Sequence, residues 1–301
     1  MCVRPRRHPG WPTWHPGAAR TAGFAPGKDV HYRMSPANLP ALGVARPDVT
    51  VLANNHVGDF GTGGLLETLD ALADAGLRTA GAGRDAAGAR APASVPLPGG
   101  GRLLVFAMGS PSSGIPPDWA ATSRRPGVRL VREFSRADAE EIARQVAGTR
   151  RPGDLAVASV HWGPNWGHEI PPEQTRFAHA LIDGGVDLVH GHSSHHPRPV
   201  ELYRGRPVLY GCGDFVDDYE GIGGHETYRD DLRVLWSVTL GRPAAEPAGV
   251  RLVPFRARRL SLARAPAADT EWLRAVLDRV SGRFGVRVGT DADGALVCEP
   301  R

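Results

Sequence analysis

The stretch Ala156–Phe215 constrains the fold of this chain more than any other, because it predicts a strand, a helix and a second strand in succession. The apolar run Ala156–Val160 ends at His161 and a Gly-Pro-Asn turn, as a buried strand that leads into a loop does. A helix is predicted to begin near Pro172, and Val186–Val189 is the next predicted buried strand. Parallel strands joined by a crossover helix end at the same edge of a sheet, so the residues that follow both strands should lie together.

Histidines dominate the positions after these strands. His161 follows the first strand, and the second is followed by a run of four histidines in seven residues. An earlier predicted strand, Asp48–Ala53, ends in Asn55 and His56 and leads into an amphipathic helix. Collected at predicted strand ends are therefore Asn55, His56, His161, His190, His192, His195, His196 and, after a later strand, Asp214.

These side chains have the chemistry of a metal site. Neutral imidazoles with amide or carboxylate oxygens are ligands that Mn²⁺, Fe and Zn²⁺ accept, and two such ions about 3.5 to 4 Å apart clamp a phosphoryl group and supply hydroxide. A single histidine at a strand end is more often a hydrogen-bonded packing residue. The prediction of a metal site therefore depends on the presence of a histidine at the end of each of three separate strands.

Length and composition exclude several classes of protein. The 301 residues are 41% hydrophobic and suit one large α/β domain or one domain with an appendage. The 36 Lys and Arg against 32 Asp and Glu give a net charge of only +4, and no basic run is interleaved with aromatic residues, so we expect no nucleic-acid partner. Three cysteines form no metal or disulfide pattern, no apolar run could span a membrane, and no export signal is evident, so we predict a cytoplasmic protein as the sequence is written.

Three segments are predicted. Residues 1–25, which include His8 and His15, have no periodicity and indicate an irregular or disordered lead-in. Residues 26–264 form the main domain, and residues 265–301 form a C-terminal appendage of one helix and a hairpin. Without a strand to orient them, His8 and His15 are not expected to be ligands.

Three motifs carry a resemblance to a known family. They are Ala53-Asn54-Asn55-His56; His161-Trp162-Gly163 with the trailing Asn165-Trp166-Gly167 and Pro171-Pro172-Glu173-Gln174; and Gly191-His192-Ser193-Ser194-His195. In these motifs, residues from about Pro26 to Gly221 resemble the CapA family of poly-γ-glutamate capsule biosynthesis proteins, which belongs to the calcineurin-like metallophosphoesterase superfamily.

The resemblance implies a fold and a set of roles. The implied fold is a layered αββα sandwich with mixed sheets. Asn55, His161, His192 and His195 would be metal ligands, His56 would steady or protonate the leaving oxygen, and Asp214 would serve in the catalytic site by orienting a ligand histidine. The implied cofactors are divalent Mn, Fe or Zn, and the implied substrate is a phosphoester or an acidic polymer.

The sequence also departs from the family pattern. Family members begin with a strand that ends in Gly-Asp and continue to an Asn-Leu-Glu, and neither motif precedes Pro26 here. We therefore expect a fold that lacks the first strand and a dinuclear site that is incomplete. Either the sequence is truncated at its start, or this copy has lost half of its ligands, in which case its affinity for hard divalent ions falls because anionic oxygens supply most of the charge compensation.

Two functions remain open at this point. The first is a metal-dependent phosphoesterase-like hydrolase in capsule polymer biosynthesis, provided that the site is complete. The second is a non-catalytic or truncated family member that binds an acidic polymer or a protein partner.

Several further residues have simpler interpretations than catalysis. Asp59 is interpreted as the cap of the following helix, and Arg84 as a surface residue. The loop of Asp217, Asp218 and Glu220 is interpreted as a solvated acidic loop. For the histidines that flank the ligand pair, packing is the simpler role for His190 and exposure to solvent for His196; Cys212 is not expected to be a nucleophile, and Trp162 and Trp166 either wall the site or pack in the core.

Overall fold

The structure is a computed structural model that describes residues 25, 27–28, 30–217, 221–241 and 248–301. The predicted lead-in of residues 1–25, with His8 and His15, lies outside the described residues except for Ala25.

The described part of the chain contains short and medium strands alternating with helices in its first two thirds, followed by consecutive antiparallel strands and a last helix. The strands are β1 (Val49–Val51), β2 (Arg78–Ala80), β3 (Ala82–Gly83), β4 (Ala93–Pro96), β5 (Arg102–Gly109), β6 (Gly127–Val128), β7 (Leu155–His161), β8 (Leu188–His192), β9 (Val200–Tyr203), β10 (Arg206–Leu209), β11 (Leu232–Thr239), β12 (Gly249–Arg258), β13 (Ser261–Arg264), β14 (Val286–Thr290) and β15 (Leu296–Pro300). The α-helices are α1 (Leu39–Ala45), α2 (Gly61–Asp74), α3 (Ala86–Arg90), α4 (Arg136–Thr149), α5 (Pro172–Asp183) and α6 (Ala267–Ser281). Short 3-10 helices cover Pro36–Asn38, Pro111–Ser113, Pro117–Trp119, Glu226–Tyr228 and Gly282–Phe284.

The described residues divide into two compact units. The first unit contains the described residues up to Asp138 together with Arg150–Trp162, and the second contains Ala139–Thr149 and the described residues from Gly163 onward.

The first unit is built on parallel strand pairs. β1 and β2 are connected by α2 and pair in parallel, as the sequence predicts. β5 pairs in parallel with β7 and antiparallel with β4. Leu65 and Leu72 of α2 are buried in a cluster with Leu52 and Val57, because the 3.6-residue period places them on one face. The helix ends where Gly76 adopts a φ of +71°, a conformation that glycine adopts without steric cost.

A buried carboxylate joins the starts of β5 and β7. Asp154 is 3% exposed and accepts hydrogen bonds from the backbone N–H of Arg102 (2.7 Å), from its guanidinium Nη2 (2.6 Å) and from the N–H of Arg151 (3.0 Å). These hydrogen bonds, chiefly from the Arg102 guanidinium, outweigh the effect of burial and lower the pKa of Asp154 from 3.8 to about 2. The carboxylate therefore stabilises the strand pair only while it is ionised.

We expect Asp154→Asn to lower the free energy of unfolding by about 1 to 2 kcal/mol at pH 7, since Arg102 is partly exposed and solvent screens part of the interaction. A depressed carboxyl pKa contributes stability that is present above about pH 4 and is lost as the pH falls towards about 2. Urea titrations at several pH values measure this, with Asp118→Asn as a surface control. A difference that persists unchanged at pH 2 would contradict the assignment.

The second unit contains two groups of strands. β8 pairs in parallel with β10, and β9 pairs antiparallel with β10. The other sheet has the order β11-β12-β15-β14, with β13 also paired to β12, and its pairs are antiparallel. Over both units, the parallel and antiparallel strand pairs and the six α-helices of the described residues confirm the predicted α/β class with mixed sheets.

The structure corrects the predicted end of one strand. The sequence predicts a strand over Val186–Val189 followed by a histidine loop, whereas β8 begins at Leu188 and runs through His192. β10 pairs in parallel with Val189 and His190, and the backbone N–H of Cys212 donates to the oxygen of Gly191 at 3.1 Å, so the pairing extends beyond Val189. His190 and His192 are therefore strand residues on one face, separated by two positions.

The predicted boundary at residue 265 stays a prediction. In the structure β15 pairs with β12 as well as with β14, so the helix-and-hairpin segment shares one sheet with strands that precede it. In the described part of the chain, no helix is both long and apolar enough to cross a lipid bilayer.

Candidate functional site

In the first unit, the candidate site begins at a tight turn after β1. Asn54 is buried, and its side-chain oxygen accepts hydrogen bonds from the backbone N–H groups of His56 and Val57, each at 2.9 Å. This is the local side-chain-to-backbone turn that asparagine favours. It fixes the direction in which Asn55 and His56 leave the end of the strand.

His56 forms a pair with a fully buried carboxylate. Its Nδ1 lies 2.7 Å from Oδ2 of Asp59, which is 0% exposed, so Nδ1 carries the proton that is donated and Nε2 carries the lone pair. Lys28 donates to the other oxygen of Asp59, and the backbone N–H of Tyr32 donates to Oδ2 at 2.9 Å. Burial alone would raise the pKa of Asp59, but the hydrogen bonds from His56, Lys28 and Tyr32 outweigh it and lower that pKa.

The interpretation of Asp59 as a helix cap is wrong. The residue before α2 is Phe60, and no side-chain hydrogen bond caps this helix. Asp59 instead accepts a hydrogen bond from His56 and orients that ring, which makes it a functional candidate, a role that the sequence analysis ranked below capping. The spacing of three residues between a histidine and a carboxylate in one turn is the signal that could have found it, because such residues come within hydrogen-bond distance.

Asn55 and His161 come together as predicted. Oδ1 of Asn55 lies 3.2 Å from Nε2 of His161, the last residue of β7. The backbone oxygen of His161 accepts hydrogen bonds from the N–H of Ser110 and the hydroxyl of Ser113, each at 3.0 Å, which fixes the end of the strand. Two adjacent ligands of one cation at metal–ligand distances near 2.1 Å lie about 3 Å apart, so this pair has the spacing of neighbouring ligands.

In the second unit, His190 and His192 are both buried on β8. Their ring centroids are 5.4 Å apart with the rings 27° from parallel, as expected for neighbours on one face of a strand. Burial, with the neighbouring His192, lowers the pKa of His190 well below its usual range, so this ring is neutral. The packing role is thereby supported for His190, and His192 presents a second imidazole beside it.

The backbone just after β8 is unusual. Ser193 has a φ of +132°, a region that residues other than glycine rarely adopt, and its hydroxyl donates to the oxygen of Gly163 at 3.1 Å. The backbone N–H of His195 in turn donates to the oxygen of Asn165 at 3.0 Å. These contacts hold the Gly-His-Ser-Ser-His loop against the loop that follows β7.

His195 forms the second carboxylate–imidazole pair. Its Nδ1 lies 2.8 Å from Oδ2 of Asp214, so Nε2 carries the lone pair, as in histidines that bind metals through Nε2. Burial alone would lower the pKa of His195 and raise that of Asp214, but the hydrogen bond between them reverses both directions. The predicted role of Asp214 in orienting a histidine therefore agrees with the geometry.

A buried arginine supports Asp214. Nη1 of Arg233, a residue of β11 that is 1% exposed, lies 2.9 Å from Oδ2 of Asp214, and its Nη2 lies 2.8 Å from Oδ2 of Asp217. The interpretation of Asp217 as part of a solvated loop is therefore wrong, since its side chain is 16% exposed and paired. Asp218 and Glu220 of the same predicted loop lie outside the described residues.

The prediction that His196 faces solvent is wrong. The residue is 1% exposed, its Nε2 accepts a hydrogen bond from the N–H of Gly167 at 3.0 Å, and its Nδ1 donates to the oxygen of Pro197 at 3.0 Å. Burial, followed by the neighbouring His168, lowers the pKa of His196 to about 3. Both ring nitrogens are used within the loop, so this histidine is structural.

Arg198 was not predicted, although it follows the histidine motif directly. It is 1% exposed, its Nε donates to the oxygen of Gly167 at 3.0 Å, and its Nη2 donates to the oxygen of Glu169. It therefore links the loop after β8 to the loop after β7. Trp166 in that second loop lies 5.4 Å from the ring of His195 and walls this region, whereas Trp162 is fully buried against Phe134.

The remaining interpretations agree with the structure. Arg84 is exposed and pairs with Asp70 at the surface. Cys212 is buried, and burial raises the pKa of its thiol to about 12, so it is not a nucleophile at neutral pH.

The donor set fits a metal ion only in part. The spacing of Asn55 and His161 suits two ligand positions, but among the described residues no three His, Cys, Asp or Glu side chains are grouped as a metal centre needs. Within the first unit the candidate ligands are one amide and one imidazole, and within the second unit they are the imidazoles of His192 and His195, of which His195 is hydrogen-bonded to Asp214. The described residues do not make up a complete ligand set, and the acid–base chemistry considered below uses the chain's own groups.

Comparison with known proteins identifies the family. Residues 17–219 match the model of the bacterial capsule synthesis protein family PGA_cap. The chain belongs to this family. The match includes the six predicted site residues and Asp59, whereas Arg233 lies beyond it.

Individual PGA_cap relatives extend the comparison. A probable polyglutamine synthesis accessory protein of Mycobacterium tuberculosis (strain CDC 1551 / Oshkosh) is 50% identical over 278 residues, which are 92% of this chain and 73% of that protein. The PGA biosynthesis protein CapA of Bacillus subtilis is 28% identical over 191 residues, 64% of this chain and 48% of that protein. The capsule biosynthesis protein CapA of Bacillus anthracis is 26% identical over 195 residues, 64% of this chain and 45% of that protein. The chain thus spans about half the length of the two Bacillus relatives.

Proposed function

We propose that this chain is an accessory protein in the synthesis of an anionic capsule-type polymer such as poly-γ-glutamate, and that it acts as a phosphoesterase-type hydrolase. The family match and the names of the relatives support the first part. The observation that carries the second part is the buried Asp59 hydrogen-bonded to His56 at the exit of β1. The proposal includes the predicted cytoplasmic location, which the buried free thiols of Cys212 and Cys298 support.

The Asp59–His56 pair has the arrangement of an acid–base catalyst. With Nδ1–H donated to Asp59, the lone pair on Nε2 of His56 can take up a proton, and the resulting imidazolium can give it to a leaving oxygen. The negative charge on Asp59 stabilises that imidazolium, and Lys28 keeps Asp59 ionised. Protonation of the leaving group by a positioned histidine contributes about 10²- to 10⁴-fold to rates of this kind.

Divalent metal binding is the third part of the proposal. Asn55 and His161 are the proposed ligands in the first unit, and His192 and His195 are the proposed ligands in the second, with Mn, Fe or Zn as the metal. When bound, such an ion polarises a phosphoryl oxygen and lowers the pKa of a bound water. The spacing of Asn55 and His161 supports the first pair, and the hydrogen bond from His195 to Asp214 supports the second.

Metal analysis and hydrolysis measured together test this proposal. We expect the purified protein to retain Mn, Fe or Zn after dialysis and to hydrolyse bis(p-nitrophenyl) phosphate, and we expect His161→Ala to lose both. His179→Gln is the matched control, because His179 pairs with Glu201 on another part of the second unit. The hydrolase proposal fails if the protein binds metal and polymer but has no activity, or if His161→Ala retains the metal content and the rate of the native protein.

A non-catalytic role is the second candidate, because no complete cluster of His, Cys, Asp or Glu ligands is found in the described part of the chain. In that role the chain binds an acidic polymer or a protein partner through the same residues. Binding of polyglutamate without bound metal and without phosphodiester hydrolysis would favour this role over the hydrolase.

A further inference from the structure

Two exposed apolar side chains lie next to each other on the second unit. Val216 is 55% exposed and Leu260 is 69% exposed, and together with Phe215 and Leu262 they line one surface cleft of about 40 Å³. Scattered exposed aliphatic residues are ordinary, but two neighbours in one cleft are less so. We name this region, with the hairpin β12–β13, the hairpin patch.

The turn of this hairpin holds Leu260 at its tip. Arg258 of β12 lies opposite Ser261 of β13, and the two residues between them, Arg259 and Leu260, have φ values of +51° and +55°. Two-residue hairpin turns with positive φ at both positions favour Asn-Gly or Gly-Gly, because larger side chains are strained there. A leucine at such a position is unfavourable for the fold and for solubility, and residues of this kind tend to persist where they have a function.

The patch also carries positive charge. Arg258 lines the cleft, Arg259 is in the turn, and Arg264 lies opposite Phe255 with its guanidinium 5.8 Å from the centre of that ring. All three residues are exposed, and none has an ion pair with the residues that the structure describes.

Other charged groups of the same sheet are neutralised locally. Arg251 pairs with Asp291, and Arg256 pairs with Asp231 and Asp269. Asp217, the acidic residue that lines the cleft, pairs with the buried Arg233. Among the residues that the structure describes, the three arginines of the patch therefore have no carboxylate ion-pair partner and lie close to apolar side chains.

We propose that the hairpin patch docks onto an anionic lipid surface, with Leu260 and Val216 entering the headgroup region and Arg258, Arg259 and Arg264 contacting lipid phosphates. Binding to a membrane surface combines the burial of apolar side chains at the interface with the attraction of cations to anionic headgroups. A hydrophilic polycarboxylate would use the arginines but would leave the two aliphatic side chains in water, so the lipid surface is the better match. This inference does not depend on the proposed hydrolase activity.

Sedimentation with vesicles tests the proposal. We expect the native protein to bind vesicles of phosphatidylglycerol mixed with phosphatidylcholine, to bind pure phosphatidylcholine vesicles much less, and to lose binding as salt is raised. Arg259→Gln should weaken binding about fivefold, the equivalent of about 1 kcal/mol per basic residue at an anionic surface. Leu260→Ser should weaken it by on the order of tenfold through loss of the buried aliphatic group.

Matched controls keep the result specific to this patch. Val44→Ser removes another exposed aliphatic residue, 82% exposed on α1, and Arg124→Gln removes an exposed arginine of the first unit. Both should bind vesicles as the native protein does. Leu260→Gly should also lose binding while its melting temperature stays the same or rises, because glycine adopts a positive φ without strain.

Three outcomes would overturn the proposal. The first is a native protein that does not bind the anionic vesicles, and the second is a loss of binding in Val44→Ser as large as that in Leu260→Ser. The third is binding of soluble polyglutamate that depends on Arg259 and is unaffected by Leu260→Ser, without vesicle binding, which would make the patch a polymer site.

Discussion

Replacing Asp214 with asparagine should lower the free energy of unfolding by about 3 kcal/mol, because it leaves the buried guanidinium of Arg233 without one of its two carboxylates. The substitution also replaces the charged acceptor of the His195 Nδ1–H group by a neutral amide, and this carboxylate raises the pKa of His195 against the effect of burial. Breaking a buried ion pair from one side costs more than the pair contributes, since the remaining charge is poorly solvated. Urea unfolding at pH 7 measures the change.

Two companion variants identify the cause. Asp217→Asn removes the other carboxylate of Arg233 but leaves His195 paired, so its effect should be smaller than that of Asp214→Asn. In the background of Arg233→Met the cost of Asp214→Asn should fall, because no buried cation is then left unpaired. An unchanged cost in that background would show that Arg233 is not what Asp214 stabilises.

Replacing Asp59 with asparagine should be at least as damaging in the first unit, with a loss of about 3 kcal/mol at pH 7. Asp59 is fully buried and is the shared acceptor of His56, Lys28 and the Tyr32 N–H, so all three partners lose a charged acceptor. The same substitution removes the group that fixes the tautomer of His56. Any activity that depends on proton transfer by His56 should fall with it.

The pH dependence of this loss follows from the pKa of Asp59, which is lower in the folded protein than in the unfolded chain. Such a carboxyl group contributes stability that is present above its unfolded pKa of 3.8 and is lost as the pH falls through the folded value. The difference between native protein and Asp59→Asn should therefore shrink in acid. Asp70→Asn, at an exposed ion pair with Arg84, is the control and should change stability by less than about 1 kcal/mol. An equal loss in both variants would contradict the assignment.

The sequence predicts the elements whose pattern is local. α2 is predictable because Leu65 and Leu72 recur on one helical face and Gly76 ends the helix, and β5 is predictable because a continuous apolar run of that length is typical of a strand covered on both sides. The approach of Asn55 to His161 is also predictable, since both residues lie at the carboxyl ends of strands that pair in parallel.

The supporting residues of the site could not be predicted in the same way. Arg233 is 19 residues from Asp214 in the sequence, and the two side chains meet only because the fold brings β11 close to Asp214. Lys28 likewise contacts Asp59, which is 31 residues away in the sequence. The end of β8 was misplaced because its backbone pairs with residues about 20 positions later in the chain, Leu209 opposite His190 and Cys212 with Gly191, and no local pattern encodes such pairing. Asp59 was misinterpreted because a carboxylate just before a helix usually caps that helix, whereas the carboxylate of Asp59 accepts a hydrogen bond from His56.

The position of β15 has a consequence for how the protein forms during synthesis. This strand lies between β12 and β14, so neither neighbour completes its ladder until residues 296–300 are available. Before β15 forms, the edge of β12 at Val250–Leu252 lacks this partner, which is nearly fifty residues downstream, and β14 lacks the strand with which it pairs. An open strand edge can pair with another chain, so slow completion of this sheet would favour aggregation.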